Sequence, residues 1–190
     1  MRGLVLAALA ALGLATASLA QDADNVLVID VEGEAPGTIE IELLPDVAPQ
    51  HVERIKTLAR EGAYDGVAFH RVIDGFMAQT GDVEFGTREA FGQGRAGTGG
   101  SAYPDLPAEF SDIPFDKGVV GMARSQPPDS ANSQFFIMTA PAPHLNGQYT
   151  AVGRVIAGQD VVDAIKLGAG QSGMVSDPDV MARVHLKSDS

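Results

Sequence analysis

The chain has 190 residues, no cysteine and a formal net charge of -12 at pH 7. The lack of cysteine excludes disulfides, thiolate nucleophiles and zinc–thiolate sites. The strong negative charge argues against nucleic acid or an anionic membrane surface as a partner.

Residues 1–20 have the composition of a secretory signal peptide. One arginine precedes an apolar run from Leu4 to Leu14, and small residues follow it. We expect cleavage after Ala20 and export to the periplasm, so that the mature chain begins at Gln21. A retained membrane anchor is the alternative, but the apolar run is short for a hydrocarbon core of about 30 Å. The rest of the chain, residues 21–190, is expected to fold as one soluble domain with no later membrane span.

Two strands and a helix are predicted next. Residues Val26–Val31 and Thr38–Leu44 are rich in β-branched and apolar residues, and a turn-rich connector would join them as a hairpin. Apolar residues at helical spacing predict a helix over Ala48–Glu61, with Pro49 in its first turn. We expect His51 to be an exposed helix residue and not a metal ligand, because no second histidine follows at the spacing of a metal site.

The stretch Phe69–Asp82 predicts two strands joined by a turn at Asp74-Gly75. Because side chains alternate along a strand, Phe69 and Arg71 would share one face. Arg71 would then point at a largely apolar surface, with Gln79 nearby on the second strand. The alternative is an ordinary hairpin whose arginine reaches solvent along its aliphatic stem.

The segment Val83–Tyr103 is rich in glycine and has no apolar periodicity. It lacks the lysine and the following helix that a nucleotide-binding loop requires. We expect a surface loop whose backbone lines a groove.

The remaining chain predicts more short strands and one short helix. The strands would cover Gly118–Arg124, Ala131–Ala140, Tyr149–Ile156 and Val180–Leu186, and the helix Asp160–Leu167. Many short strands with two separated helices indicate an all-β domain, whose sheet hides its edges most simply by closing into a barrel.

Two stretches carry a resemblance to a known family. Phe69–Asp82 has the sequence FHRVIDGFMAQTGD, and Asn132–Ile137 has the sequence NSQFFI. Together they resemble the signatures of the cyclophilin family of peptidyl-prolyl cis-trans isomerases, and the resemblance spans roughly Val28 to Leu186. It implies a closed eight-stranded antiparallel β-barrel capped by two α-helices. It also implies a monomer that needs neither a metal nor a cofactor and that acts on proline-containing, unfolded or flexible polypeptides.

The resemblance further implies which residues form the site. The catalytic residues would be Arg71, Gln79 and Phe76. The substrate-binding residues would be Met77, Ala123, Arg124, Gln134, Phe136, His144, Leu145 and Tyr149. Two of these depart from the familiar eukaryotic pattern, since His144 stands where many cyclophilins have tryptophan and Tyr149 where many have histidine. We therefore expect weak binding of the inhibitor cyclosporin.

The chemistry of the other residues agrees with this assignment. No nucleophilic triad or pair of catalytic carboxylates is credible, and His70 is expected to be a buried, hydrogen-bonded structural imidazole on the strand face opposite Arg71. Rotation about an X-Pro bond needs no nucleophile, metal or cofactor, only a donor for the nitrogen that loses conjugation. The alternatives are a binding module or holdase chaperone with little turnover and a purely structural domain.

Overall fold

The computed structural model describes residues 23–190. The predicted signal peptide, residues 1–20, and its cleavage site lie outside these residues. Within the part that is described, no helix is long and apolar enough to cross a membrane.

Residues 23–190 form a single antiparallel sheet with two α-helices. Helix α1 covers Pro49–Arg60 and packs against the last strand of the chain, and helix α2 covers Gln159–Ala164 and packs against the second strand. The strands are β1 (Val26–Glu32), β2 (Gly37–Leu43), β3 (Val67–Ala68), β4 (Arg71–Ile73), β5 (Met77–Thr80), β6 (Val119–Met122), β7 (Phe135–Met138), β8 (Ala151–Ala157) and β9 (Val180–Leu186). Their order across the sheet is β3-β9-β1-β2-β8-β6-β7-β5-β4.

The sheet curls so that its two edges meet. The edge strands β3 and β4 are separated along the chain only by Phe69 and His70. The Thr80 hydroxyl of β5 donates to the Ala68 carbonyl of β3 at 2.9 Å, which links one edge strand to the strand beside the other edge. The predicted all-β class with two helices is confirmed. The strand count differs from the expected eight, because a short strand that was not predicted, β3, precedes Phe69 and pairs with β9. The sheet is curled as expected, but β3 and β4 form no ladder with each other, so backbone pairing does not close the barrel in residues 23–190.

Two apolar clusters lie on opposite faces of this sheet. The larger fills the inside of the curl, where Leu27, Ile29 and Val31 alternate along β1. Helix α1 adds Val52, Ile55 and Leu58, which follow the helical period and are almost fully buried. The smaller cluster contains Met77, Phe115, Phe136, Met138, Ala142, Leu145 and Ala151. Its members come from β5, β7, β8 and two loops, and this cluster forms the floor of the candidate site.

The expectation for His51 is wrong, because this residue is fully buried at the start of α1. Its Nδ1 atom lies 2.6 Å from the Glu109 carboxylate. The same carboxylate accepts the backbone N–H groups of Gln50 and His51, and so caps the first turn of the helix. Glu109 is 58 residues away along the chain, and the local helical pattern gives no sign of it.

Candidate active site

The β4–β5 hairpin brings the candidate catalytic residues together. Arg71 lies directly opposite Gln79 in the ladder, and Ile73 lies opposite Met77. Directly opposed residues point to the same face of a sheet, so all four side chains face the smaller apolar cluster. The expected grouping of Phe69 with Arg71 is wrong, because Phe69 precedes β4 and is fully buried in the larger cluster.

Strand β7 continues this face beside β5. Its residues alternate, so that Phe135 and Ile137 enter the larger cluster while Phe136 and Met138 enter the smaller one. Phe136 lies opposite Gln79 on one side and Gly121 on the other. A Cβ atom at Gly121 would lie 2.5 Å from the Phe136 ring. The glycine therefore leaves room for the Phe136 ring on the floor of the site.

Two adjoining cavities lie over this floor, and together they contain every predicted site residue. The first, of about 400 Å³, is lined by Arg71, Phe76, Met77, Gln79, Ala123, Arg124, Phe136, His144, Leu145, Gln148 and Tyr149. The second, of about 350 Å³, is lined by Gln79, Gly97, Thr98, Gly99, Ala123, Arg124, Ser125, Ser130, Asn132 and Gln134. Gln79, Ala123 and Arg124 line both cavities, so the two form one groove.

A chain of hydrogen bonds orients the polar groups of this groove. The Arg71 Nη1 atom donates to Gln79 Oε1 at 3.1 Å. Gln79 Nε2 donates to Gln134 Oε1 at 3.0 Å, and Gln134 Nε2 donates to the Gly99 carbonyl at 2.8 Å. Arg71 Nε donates to the Ser172 carbonyl at 3.0 Å. Arg71 Nη2 makes no hydrogen bond with another residue in the range 23–190, and Arg71 is one of the residues that line the first cavity.

The rim of the first cavity is aromatic and cationic. The rings of Phe76 and His144 lie 5.7 Å apart in a tilted arrangement. The Arg124 guanidinium lies 4.5 Å above the Tyr149 ring and donates to the carbonyls of Ser125, Gln126 and Gln148. Arg124 is thus a fixed wall between the two cavities.

The carboxylate of Asp82 holds the glycine-rich loop in place. This fully buried side chain accepts the backbone N–H groups of Glu84 and Phe85 at one oxygen and those of Gly97 and Gly99 at the other. Gly97, Thr98 and Gly99 line the second cavity, as expected for a loop that lines a groove. The Gly99 carbonyl also receives the end of the hydrogen-bond chain from Arg71.

His70 is buried as expected, beneath the glycine-rich loop. Burial lowers the pKa of its imidazole, and the nearby Asp82 carboxylate opposes this effect. The expected hydrogen bonds are missing, because neither ring nitrogen makes one of normal geometry with residues 23–190. A neutral imidazole therefore fills this space mainly by packing.

Sequence reasoning missed three participants. Gln148 lines the first cavity and its carbonyl binds Arg124. Asn132 lines the second cavity and ties the loop at Ser101 through its side-chain oxygen. Asn132 begins the NSQFFI stretch, which is a signal that could have identified it. Ser172 contacts Arg71 only through its backbone, and no side-chain pattern reveals such a contact.

Nothing in the described part of the chain resembles a metal centre, since no three histidine or acidic side chains there are placed to hold an ion. The groove can bind an apolar ring on its floor and present charged and amide donors from its walls. It holds no paired nucleophile and base.

A family match and similar named proteins point to the same protein family. The protein family described as "Cyclophilin type peptidyl-prolyl cis-trans isomerase/CLD" matches residues 28–186 of this chain. A protein of Brucella suis biovar 1 named "Probable peptidyl-prolyl cis-trans isomerase" is 54% identical over 181 residues, which cover 94% of this chain and 91% of that protein. The proteins of that name from Brucella melitensis biotype 1 and Brucella abortus show the same identity and coverage.

Solved structures give the same fold. A cyclophilin from Hirschia baltica superposes with a TM-score of 0.74 at 27% identity, covering 89% of this chain and 76% of that one. A cyclophilin type peptidyl-prolyl cis-trans isomerase from Cryptosporidium parvum, in the presence of the dipeptide Ala-Pro, superposes with a TM-score of 0.71 at 24% identity. The match covers 85% of this chain and 98% of the Cryptosporidium chain, and at this identity it shows the fold alone.

Proposed function

Because the chain belongs to the cyclophilin type peptidyl-prolyl cis-trans isomerase family and is such an isomerase, we propose that Arg71 is its main catalytic group. The guanidinium donates a hydrogen bond to the proline nitrogen at the twisted transition state. The observation that carries this proposal is the position of Arg71, which lines the first cavity beside Phe76, Met77 and Phe136 while its Nε and Nη1 are held by the protein.

The proposal follows from the physics of the X-Pro bond. Amide resonance gives a rotation barrier of about 18–20 kcal/mol, and uncatalysed exchange takes tens to hundreds of seconds. At the transition state the proline nitrogen loses conjugation and becomes a hydrogen-bond acceptor. A donor aimed at that nitrogen binds the transition state better than either ground state, which is the requirement for catalysis.

The rest of the groove must contribute as well. Shortening exchange from tens of seconds to milliseconds takes about 5–6 kcal/mol. A hydrogen bond with a charged donor contributes about 1.5–3 kcal/mol. We assign the remainder to positioning and to exclusion of water. Phe76, Met77, Phe136 and Leu145 would hold the proline ring, and Gln79 would hold the substrate backbone.

The neighbouring cavity would receive the residue that precedes proline, between Ala123, Arg124 and Gln134. Arg124 is held by three backbone carbonyls, so it can define one wall of this part of the groove without moving. The walls of this cavity contain no carboxylate.

The variant Arg71→Lys tests the proposed chemistry. Lysine keeps the charge but has no planar fork, so it cannot contact Gln79 and Ser172 and still present a donor to the substrate. We expect slower exchange between the cis and trans forms of an Ala-Pro peptide, measured by NMR at saturating enzyme. Unchanged exchange in this variant would show that charge alone is sufficient and would reject the directed hydrogen bond.

We further propose that the enzyme acts as a monomer in the periplasm, on proline-containing segments of newly exported proteins. The support is the composition of residues 1–20 and the match to the family beyond them. Intact-mass measurement of protein from a periplasmic extract should give a chain that starts at Gln21. Uncleaved protein in the membrane fraction would contradict export with cleavage.

A further inference from the structure

The segment of residues 168–175, here called the Arg71 strap, runs along the free edge of β4. Its backbone is joined to that edge by the bonds Gly168 N to Val72 O at 2.9 Å, Val72 N to Gly173 O at 2.7 Å and Val175 N to His70 O at 3.0 Å. A fourth bond, from Ala169 N to Met174 O at 3.0 Å, closes the strap on itself. A segment without regular secondary structure is thus fixed to the strand that carries Arg71.

Glycine is required where the strap touches β4. The backbone of Gly173 has a φ of +69°, and a Cβ atom there would lie 2.4 Å from Ile73 Cγ1 and 2.9 Å from the Val72 carbonyl oxygen. A Cβ atom at Gly168 would lie 1.8 Å from the Gly173 oxygen. A side chain at Gly173 would therefore push the strap away from β4, and a side chain at Gly168 would push apart the two ends of the strap.

The strap provides one hydrogen-bond acceptor for Arg71. The Ser172 carbonyl accepts from Arg71 Nε at 3.0 Å, while Gln79 accepts from Nη1 at 3.1 Å. These two contacts engage different nitrogens of a planar group, so together they fix both the position and the rotation of that plane. With Gln79 alone, the guanidinium could still turn about one hydrogen bond. Nη2 therefore has a defined direction only when the strap is in place.

We propose that the Arg71 strap is a positioning element for catalysis, which acts by holding the Ser172 carbonyl against Arg71 Nε. This inference rests on the proposed role of Arg71 and adds to it a segment that lines neither of the two cavities. The strap sets the direction in which Arg71 Nη2 donates, and so it affects the stability of the transition state more than the binding of the peptide.

Gly173→Ala tests this, and Gly170→Ala is the matched control. Both glycines have a positive φ, of +69° and +60°, so both variants carry a similar backbone penalty. Only at Gly173 does the new methyl group meet β4, since nothing lies within 4 Å of a Cβ at Gly170. We expect Gly173→Ala to slow peptide exchange about 10-fold or more while peptide affinity changes less than about 3-fold. Gly170→Ala should keep both within about 2-fold.

A second variant removes the risk that Gly173→Ala misfolds. Replacing Gly173 by glycolic acid turns the preceding amide into an ester, which weakens the Ser172 carbonyl as an acceptor and adds no side chain. The lost Gly173 N–H makes no backbone hydrogen bond in the described chain. We expect exchange to slow about 3- to 10-fold, with an altered NMR signal of the Arg71 Nε–H group.

The outcomes separate this inference from the proposal beneath it. If the strap acts through Arg71, then adding Gly173→Ala to Arg71→Ala should slow exchange no further than Arg71→Ala alone. Full exchange in Arg71→Ala would reject the role of Arg71 and the strap together. Slow exchange in Arg71→Ala, with normal exchange in both the Gly173→Ala and the ester variants, would overturn the strap alone.

Discussion

Replacing Asp82 by asparagine should loosen the glycine-rich loop. Its carboxylate is fully buried and accepts two backbone N–H groups at each oxygen, from Glu84 and Phe85 and from Gly97 and Gly99. Asparagine keeps one acceptor oxygen and replaces the other by an NH₂ group, which then faces two donors. A buried donor without a partner costs about 1–3 kcal/mol, so two cost about 2–6 kcal/mol. Gly97 and Gly99 are partly exposed, and water can satisfy them, which favours the lower half of that range.

The measurement is urea unfolding, together with amide hydrogen exchange at Gly97 and Gly99. Asp129→Asn is the control, because Asp129 is exposed and its carboxylate accepts one backbone N–H, from Ala108. That change should alter the free energy of unfolding by less than about 0.5–1 kcal/mol. Equal stability of the two variants, with unchanged exchange at both glycines, would refute the idea that Asp82 holds the loop.

The remaining predictions concern the pocket floor, the rim and the buried histidine. Phe136→Ala should weaken peptide binding as well as turnover, because it removes a nearly buried ring from the floor; the free energy of unfolding should also fall, by about 3–5 kcal/mol, and unchanged affinity in a titration of the folded variant would exclude that role. His144→Trp should tighten cyclosporin inhibition, because an indole offers more apolar contact than an imidazole. An unchanged inhibition constant would show that His144 is not the cause of weak inhibition. Stability against urea should be greatest above pH 6.5 and should fall as the pH decreases below it. Burial lowers the pKa of His70 in the folded state from 6.5, so on acidification the unfolded chain binds a proton at this residue at a higher pH than the folded chain does. His70→Gln should flatten that fall, and an equal fall in this variant would assign it to other groups.

The site could be predicted from the sequence where its residues lie on one regular element. Arg71 and Gln79 belong to one hairpin, so the turn between them fixes their pairing. Phe136 follows the two-residue period of β7 and enters the smaller cluster for that reason. Family resemblance supplied the residues of the loops, such as His144 and Leu145, which no periodicity indicates.

The parts that could not be predicted depend on contacts between distant segments. His51 is buried because Glu109 reaches α1 from another loop. Phe69 faces the larger cluster because the chain changes its pairing partner from β9 to β5 at this point. Ser172 meets Arg71 through a backbone carbonyl, 101 residues along the chain. In each case the local pattern is satisfied by more than one arrangement, and tertiary packing selects among them.

We propose that Arg71 stabilises the twisted amide more than it binds the peptide. Arg71→Ala tests it most directly, with cis-trans exchange of a bound Ala-Pro peptide followed by NMR beside a binding titration of the same sample. We expect exchange to be slower by at least about 10²-fold, with affinity within a few-fold of the wild type. Full exchange in Arg71→Ala, or a loss of affinity as large as the loss of exchange, would contradict it.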